Sequence, residues 1–186
     1  MRVISGSAKG TRLRTSKGMD IRPTADRVKE SLFNIIGDAT RDAVVLDLFA
    51  GTGALGIESL SRGAKFAYFV DTSRISTEII KKNLELTKLA ARASVLTQDA
   101  ERVLNRLNMQ GVRFDLIFLD PPYRISVSFL DAILSKLASD FLCDDGLLVL
   151  EHSAKINPVE VTGLRISSTR TYGDAAITFY YMKGDR

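Results

Sequence analysis

The stretch Val44-Val45-Leu46-Asp47-Leu48-Phe49-Ala50-Gly51-Thr52-Gly53-Ala54-Leu55-Gly56 decides how the rest of the chain is read. Its first half is a short, unbroken apolar run ending in one carboxylate, the pattern of a strand buried on both faces. Its second half matches G-x-G-x-x-G from Gly51 to Gly56, and Leu55 to Arg62, closed by Gly63, reads as a helix. A buried strand that turns through glycines into a helix is the opening unit of a doubly wound α/β sheet.

Working outward, the same alternation continues. Phe66–Asp71, Ser94–Leu96, Phe114–Asp120 and Gly146–Glu151 read as strands. Between them Ser73 to about Leu89, Ala100–Met109 and Val127–Phe141 carry apolar residues at helical spacing, with Ser73 a plausible N-cap. The end differs, because Leu164–Tyr172 and Ala176–Met182 are two β-like runs joined through Gly173-Asp174-Ala175 with no helix between them. A hairpin is expected there. The start differs too. Residues 2–18 read as a short hairpin or arm, and Thr24 as the cap of a helix to about Ile36. That helix would bury Ala25, Val28, Leu32, Ile35 and Ile36 and expose Arg27, Glu30 and Asn34. The expected fold is α/β and Rossmann-like, with a mostly parallel sheet, an antiparallel C-terminal hairpin strand, helices on both faces and a small N-terminal β-hairpin arm. The expected division is a basic arm over 1–22 and one globular unit over 23–186.

Composition narrows the function. The 186 residues have an ordinary hydrophobic share of 45%, one Cys and one His. A chain of this length buries enough surface to fold without a metal or disulfide. Cys143 cannot form an intrachain disulfide, and with His152 is too little for zinc, so both are read as structural. No apolar stretch is long enough for a membrane span and no signal-like core opens the chain, so a cytoplasmic setting is expected; a monomer is expected as well. The net charge of +4 is uneven. Residues 1–29 carry eight basic and two acidic side chains, while the remainder holds 18 basic and 20 acidic. Basic segments of this kind neutralise nucleic-acid phosphates, although a merely solvated end has the same composition.

The glycine loop alone would suit a dinucleotide, with Asp71, 20 residues after Gly51, on a ribose. Asp47 argues against a pyrophosphate, because a carboxylate just ahead of the loop would repel it. It suits a cation such as the α-ammonium of S-adenosylmethionine, which keeps the ribose and adenine and has no phosphate. Asp99 could accept from the adenine amine, or could simply cap the next helix.

Asp120-Pro121-Pro122-Tyr123 closes the fourth strand. Two prolines cannot join the ladder, so the chain leaves the sheet stiffly, presenting the Asp120 carboxylate and the Pro121 carbonyl as acceptors. Tyr123 follows as a stacking platform. Two acceptors beside an aromatic face suit an exocyclic amine or amide whose nitrogen lone pair faces an electrophilic methyl. A carboxylate accepts from both N1–H and N2–H₂ of guanine, whereas adenine suits an amide better. Such a base must leave its stack, which favours loops or ends of RNA.

These residues resemble class I S-adenosylmethionine-dependent methyltransferases with the Asp/Asn-Pro-Pro-Tyr/Phe signature, whose sheet has seven strands with the last antiparallel. The chain is more specifically similar to the bacterial 16S rRNA (guanine(966)-N(2))-methyltransferase family. Arg2–Gly6 with Lys9-Gly10, Arg22–Asn34, Asp47–Gly53 and Tyr172-Gly173-Asp174 carry that likeness. Gln98 stands where a glycine often precedes the Asp. The resemblance implies cofactor contacts from Asp47, Phe49, Ala50, Gly51, Thr52, Gly53, Asp71, Thr72, Asp99, Ala100, Asp120 and Thr24. It implies catalysis by Asp120, Pro121, Pro122 and Tyr123, with no metal. Arg2, Lys9, Arg12, Arg14, Lys17, Arg22 and Arg27 would meet RNA, within the small ribosomal subunit or an assembly intermediate. The alternatives are a methyltransferase for adenine N6 or a protein glutamine amide, a dehydrogenase, and a non-catalytic RNA-binding module.

Overall fold

A computed structural model describes residues 1–15, 23–122 and 125–183, the side chains of residues 23–25 aside. Seven strands form one sheet in the order β3-β2-β1-β4-β5-β7-β6. They are β1 (Val44–Leu48), β2 (Phe66–Asp71), β3 (Ala93–Thr97), β4 (Phe114–Leu119), β5 (Leu142–Ser153), β6 (Leu164–Tyr172) and β7 (Ala175–Met182). The first five pair in parallel, and β7 lies antiparallel between β5 and β6. This is the sheet expected, hairpin included.

Alternation along the strands builds two cores. Val45, Phe69, Phe118 and Val149 face α1 (Pro23–Ile36), α2 (Ala54–Ser61) and α3 (Arg74–Leu86). Leu46, Leu48, Ile117 and Leu148 face α4 (Ala100–Met109) and α5 (Val127–Lys136). The result is three layers with the sheet in the middle.

Several boundaries shift for identifiable reasons. Helix α1 starts at Pro23, so Thr24 lies in its first turn and does not cap it; proline suits that first position because its missing N–H is unpaired there anyway. Its buried face holds Leu32, Phe33 and Ile36 as well as Lys29, whereas Ile35 is 40% exposed. α5 gives way after Lys136 to a π-turn over Leu137–Phe141. β5 begins four residues earlier than Gly146, across a register shift opposite Phe114 and Leu116. Ser73 does cap α3, accepting from Ser76 N at 3.2 Å.

Of the expected N-terminal hairpin, the described residues hold one antiparallel bridge, Arg2 to Arg12. The segment is fastened to the body: Val3, Ala8 and Leu13 are buried in the first core. Gly6 lies against the Ser61 carbonyl so closely that a side chain there would overlap it.

Candidate active site

Strand β1 lies between β2 and β4, so the chain reverses direction across the sheet there, and open α/β sheets bind ligands beyond the strand ends at such a point. Asp47 on β1, Asp71 at the end of β2, Asp120 after β4 and Glu151 near the end of β5 sit along that edge. A cleft of about 400 Å³ opens there, lined by Asp47, Gly51, Asp120 and Glu151 from the sheet side and by Lys29 and Tyr172 opposite. Its size is that of a small-molecule site.

The glycine loop is held from both sides. Gly51 and Gly53 take φ +55° and +76°, and Phe49 shares the left-handed region at +66°. A phenylalanine in that region is strained, and such strain collects at functional sites. A Cβ on Gly56 would meet the Phe69 ring at 2.3 Å, so this glycine serves the close packing of α2 on β2. Asp47 is 2% exposed, and one of its oxygens accepts from Gly56 N at 2.9 Å, satisfying an N–H of the first turn of α2. Asp71 accepts from Gly51 N at 2.9 Å and Ser73 N at 2.8 Å, which fixes the loop to the end of β2. Asn83 on α3 is fully buried and donates to the Thr52 carbonyl at 3.0 Å and the Arg14 carbonyl at 3.1 Å.

The acids of the cleft are poorly compensated. Burial pushes the Asp47 carboxyl up to about 7, against the bond from Gly56, with Asp71 adding a like charge. Burial also raises Asp120, helped by Glu151 and Asp47, and raises Glu151. Asp120 is exposed toward the open cleft, where solvent offsets part of that push. Carboxyls displaced in this way at a strand-end cleft make it the candidate ligand site of the fold.

Other anticipated positions divide. Phe49, Ala50 and Thr52 join Asp47, Gly51 and Asp120 on the cleft wall, and the Gly53 backbone forms the turn behind them. Asp99 caps α4, accepting from Arg102 N at 2.9 Å and pairing with Arg102 Nε at 3.3 Å, the rival reading of that residue. Thr72 is exposed, and Ala100 is packed into the second core. Pro121 and Pro122 line a separate small apolar cavity that shares Glu151 with the cleft. Tyr123, Lys17 and Arg22 lie outside the described residues, as does the side chain of Thr24. Lys9, Arg12, Arg14 and Arg27 are exposed. Arg2 is exposed and pairs with Asp26 at 3.7 Å. His152 is held by Thr178 at 2.8 Å and by the Ser153 carbonyl at 3.0 Å, a structural role as expected.

Sequence reasoning missed Glu151, Tyr172 and Lys29. Lys29 counted as one more N-terminal cation, yet it is 4% exposed and pairs with Glu58 at 3.0 Å while donating to the Arg2 carbonyl at 2.6 Å. Glu58 also accepts from Ile4 N at 2.8 Å, Ser5 N at 3.0 Å and Arg62 Nε at 2.9 Å. The available signal was the helical spacing of Lys29 with Leu32, Phe33 and Ile36.

The family described as "Conserved hypothetical protein 95" matches residues 1–181. The Bacillus subtilis protein named "Putative rRNA methyltransferase YlbH" is 41% identical over 99% of this chain and all of its own length. "Ribosomal RNA small subunit methyltransferase D" of Escherichia coli is 36% identical over 81% of this chain and 74% of its own. Among solved structures, "Putative methyltransferase yhhF from Escherichia coli" superposes with a TM-score of 0.85 at 29% identity, covering 100% of this chain and 99% of that one. The structure titled "Crystal structure of SMU.776, a putative methyltransferase complexed with SAH" has a TM-score of 0.70 over 86% of this chain and 50% of that one; at 16% identity it shares the fold alone. The architecture is that of the methyltransferases. Among the described residues no group of three or more His, Cys, Asp or Glu could hold a metal ion, and no helix is long and apolar enough to cross a membrane.

Proposed function

Because this chain belongs to the family described as "Conserved hypothetical protein 95", we propose that it is an rRNA methyltransferase that transfers the methyl group of S-adenosylmethionine to the exocyclic N2 of a guanine in 16S rRNA. The position is the one that the resembling family numbers 966. The observation that carries this reading is the meeting of Asp47, the glycine turn and Asp120 in one cleft where β1 and β4 part. The relatives' names support ribosomal RNA of the small subunit as the substrate.

The residues fit the cofactor. Asp47 turns one oxygen to Gly56 and faces the cleft with no cationic partner among the described residues, which suits an α-ammonium group. Among the described residues nothing lies within 4 Å of where a Gly51 Cβ would stand, so a ribose can approach its backbone. Asp71, already anchored by two N–H groups, keeps lone pairs for ribose hydroxyls. S-adenosylmethionine supplies an electrophilic methyl on a sulfonium. Asp120 and the Pro121 carbonyl accept the amine's N–H groups and leave its lone pair toward that methyl. When the N–C bond forms and the S–C bond breaks, the surplus proton of the nitrogen passes to the Asp120 carboxylate. Positioning supplies most of the rate. Residues 1–22 contact RNA, residues 23–186 form the catalytic domain, and the protein works as a cytoplasmic monomer on the subunit or an assembly intermediate.

The test is methyl incorporation into small-subunit particles from cells lacking the protein, followed by nucleoside mapping. A single N2-methylguanosine is the expected product. A methylated adenine, or a melting temperature raised by NAD and not by S-adenosylmethionine, would overturn the reading.

A further inference from the structure

Glu151 belongs to no motif, yet its place is distinctive. Leu119 of β4 pairs in parallel with Leu150 of β5, so the next residues, Asp120 just past β4 and Glu151 still within β5, stand side by side. Neighbouring strands are about 4.8 Å apart, comparable to the span from N2 to O6 on a guanine edge. Glu151 also borders both cavities, the cleft with Asp47 and Asp120 and the smaller one behind Pro121 and Pro122.

The groups around this pair are otherwise engaged. Lys29 from α1 is paired with Glu58 and the Arg2 carbonyl. Tyr172 from β6 shares a hydrogen bond with Ser31 at 2.7 Å. His152, next on β5, is held by Thr178 and the Ser153 carbonyl. Asp47 from β1 adds only negative charge. Among the described residues no cation pairs with Asp120 or Glu151. Two carboxyls on neighbouring strands repel when both are charged, which favours the state with one hydrogen on the pair, in line with the upward displacement of both.

One hydrogen on two carboxyls makes an O–H donor beside a charged acceptor. A guanine edge presents the complement in order: O6 accepts, N1–H donates and N2–H₂ donates. Resting on the guanine reading above, we propose that Glu151 is a specificity-determining residue that donates its carboxyl hydrogen to O6, while Asp120 accepts from N1–H and N2–H. Adenine placed with N6 on Asp120 would turn its N1 lone pair against the second Asp120 oxygen. It would also set a C–H opposite Glu151, leaving that O–H unpaired. A site with buried polar groups rejects a ligand that leaves them unpaired more strongly than it rejects a missing methylene.

The experiment compares wild type, Glu151→Ala and Glu151→Gln on small-subunit particles reconstituted with guanine or 2-aminopurine at the mapped target. 2-Aminopurine keeps N2 and lacks both O6 and N1–H, so only the part of the guanine preference that Glu151→Ala removes reports on O6. Calorimetric S-adenosylmethionine affinity serves as the control for folding. Loss of the hydrogen bond to O6 lowers kcat/KM for guanine about tenfold in Glu151→Ala. The same variant narrows the preference for guanine over 2-aminopurine by a similar factor. Glu151→Gln, whose amide donates N–H to O6, recovers much of the loss. It also removes the alkaline decline that wild type shows as the shared hydrogen is lost. Glu151→Ala with an undiminished guanine preference, or Glu151→Gln as impaired as Glu151→Ala, would overturn the role of Glu151. Wild type methylating adenine, or no base, would instead overturn the underlying reading.

Discussion

Glu58 on α2 and the Asp120–Glu151 pair at the edge of β4 and β5 have opposite surroundings: Glu58 is sealed in the body, whereas Asp120 opens to the cleft and Glu151 is half-buried. Glu58 is fully buried and receives two backbone N–H groups, Lys29 and Arg62, so every oxygen is satisfied by the protein itself. The cleft carboxyls have no ion-pair partner among the described residues and lie beside one another and Asp47. A buried acid with a full set of donors fastens structure, here the N-terminal segment to the body. A cleft acid without them keeps its hydrogen-bonding capacity for something that arrives. Likewise, the N-terminal cations divide into Lys29, turned inward, and Lys9, Arg12, Arg14 and Arg27, turned outward.

The sharpest way to break this contrast is to remove one acid of each kind. Asp120→Ala is expected to lower the methyl-transfer rate by about a hundred- to a thousandfold, with S-adenosylmethionine affinity by calorimetry changed little. An equal loss of cofactor affinity would move Asp120 into the cofactor's site. Glu58→Ala leaves Lys29 and Arg62 with no carboxylate, and breaking a buried pair from one side costs about 3–5 kcal/mol. Denaturant unfolding should show it, while Asp120→Ala should unfold much like wild type.

A smaller effect sharpens the comparison through pH. The Asp47 carboxyl is raised in the folded protein to about 7. Stability from its protonated form is therefore complete below the ordinary carboxylate range and is lost as pH rises through about 7. A cationic ligand group beside Asp47 favours its ionised form. S-adenosylmethionine affinity should then tighten as pH rises through that value, with a proton released on binding. Titration in two buffers of different ionisation enthalpy measures that proton, and Asp47→Asn should abolish its release. The smallest effect is expected at the outward cations. Neutralising Arg12 and Arg14 should flatten the salt dependence of RNA binding by about one unit of slope per lost phosphate contact. An unchanged slope would leave these residues as solubilising charges.

How far the sequence reached differs by element. β2, α4 and β6 were legible to the residue: β2 is a dense apolar run, α4 an amphipathic repeat, and β6 a β-branched stretch bounded by glycines. Asp47, Gly51, Asp71 and Asp120 were legible because the spacing of the loop and the prolines ties chemistry to position. The strained Phe49 was not, since only packing can hold a bulky residue at positive φ. Ile35 was misjudged because a helical repeat does not say how wide the buried face is. Lys29 was misjudged because a buried lysine is tolerable only beside Glu58, 29 residues away.

The sequence by itself therefore determined the order of strands and helices, the glycine turn, the proline exit and the excess of N-terminal charge. All of these are local, set by hydrophobic period and backbone restriction. Only the tertiary structure decided which charges meet. It took Lys29 out of the basic surface and brought the N-terminal segment onto α2 through Glu58. It also set Glu151 beside Asp120, because strand register places residues 31 positions apart in the chain next to each other. Electrostatics depends on distance through space, and that distance is fixed by the fold.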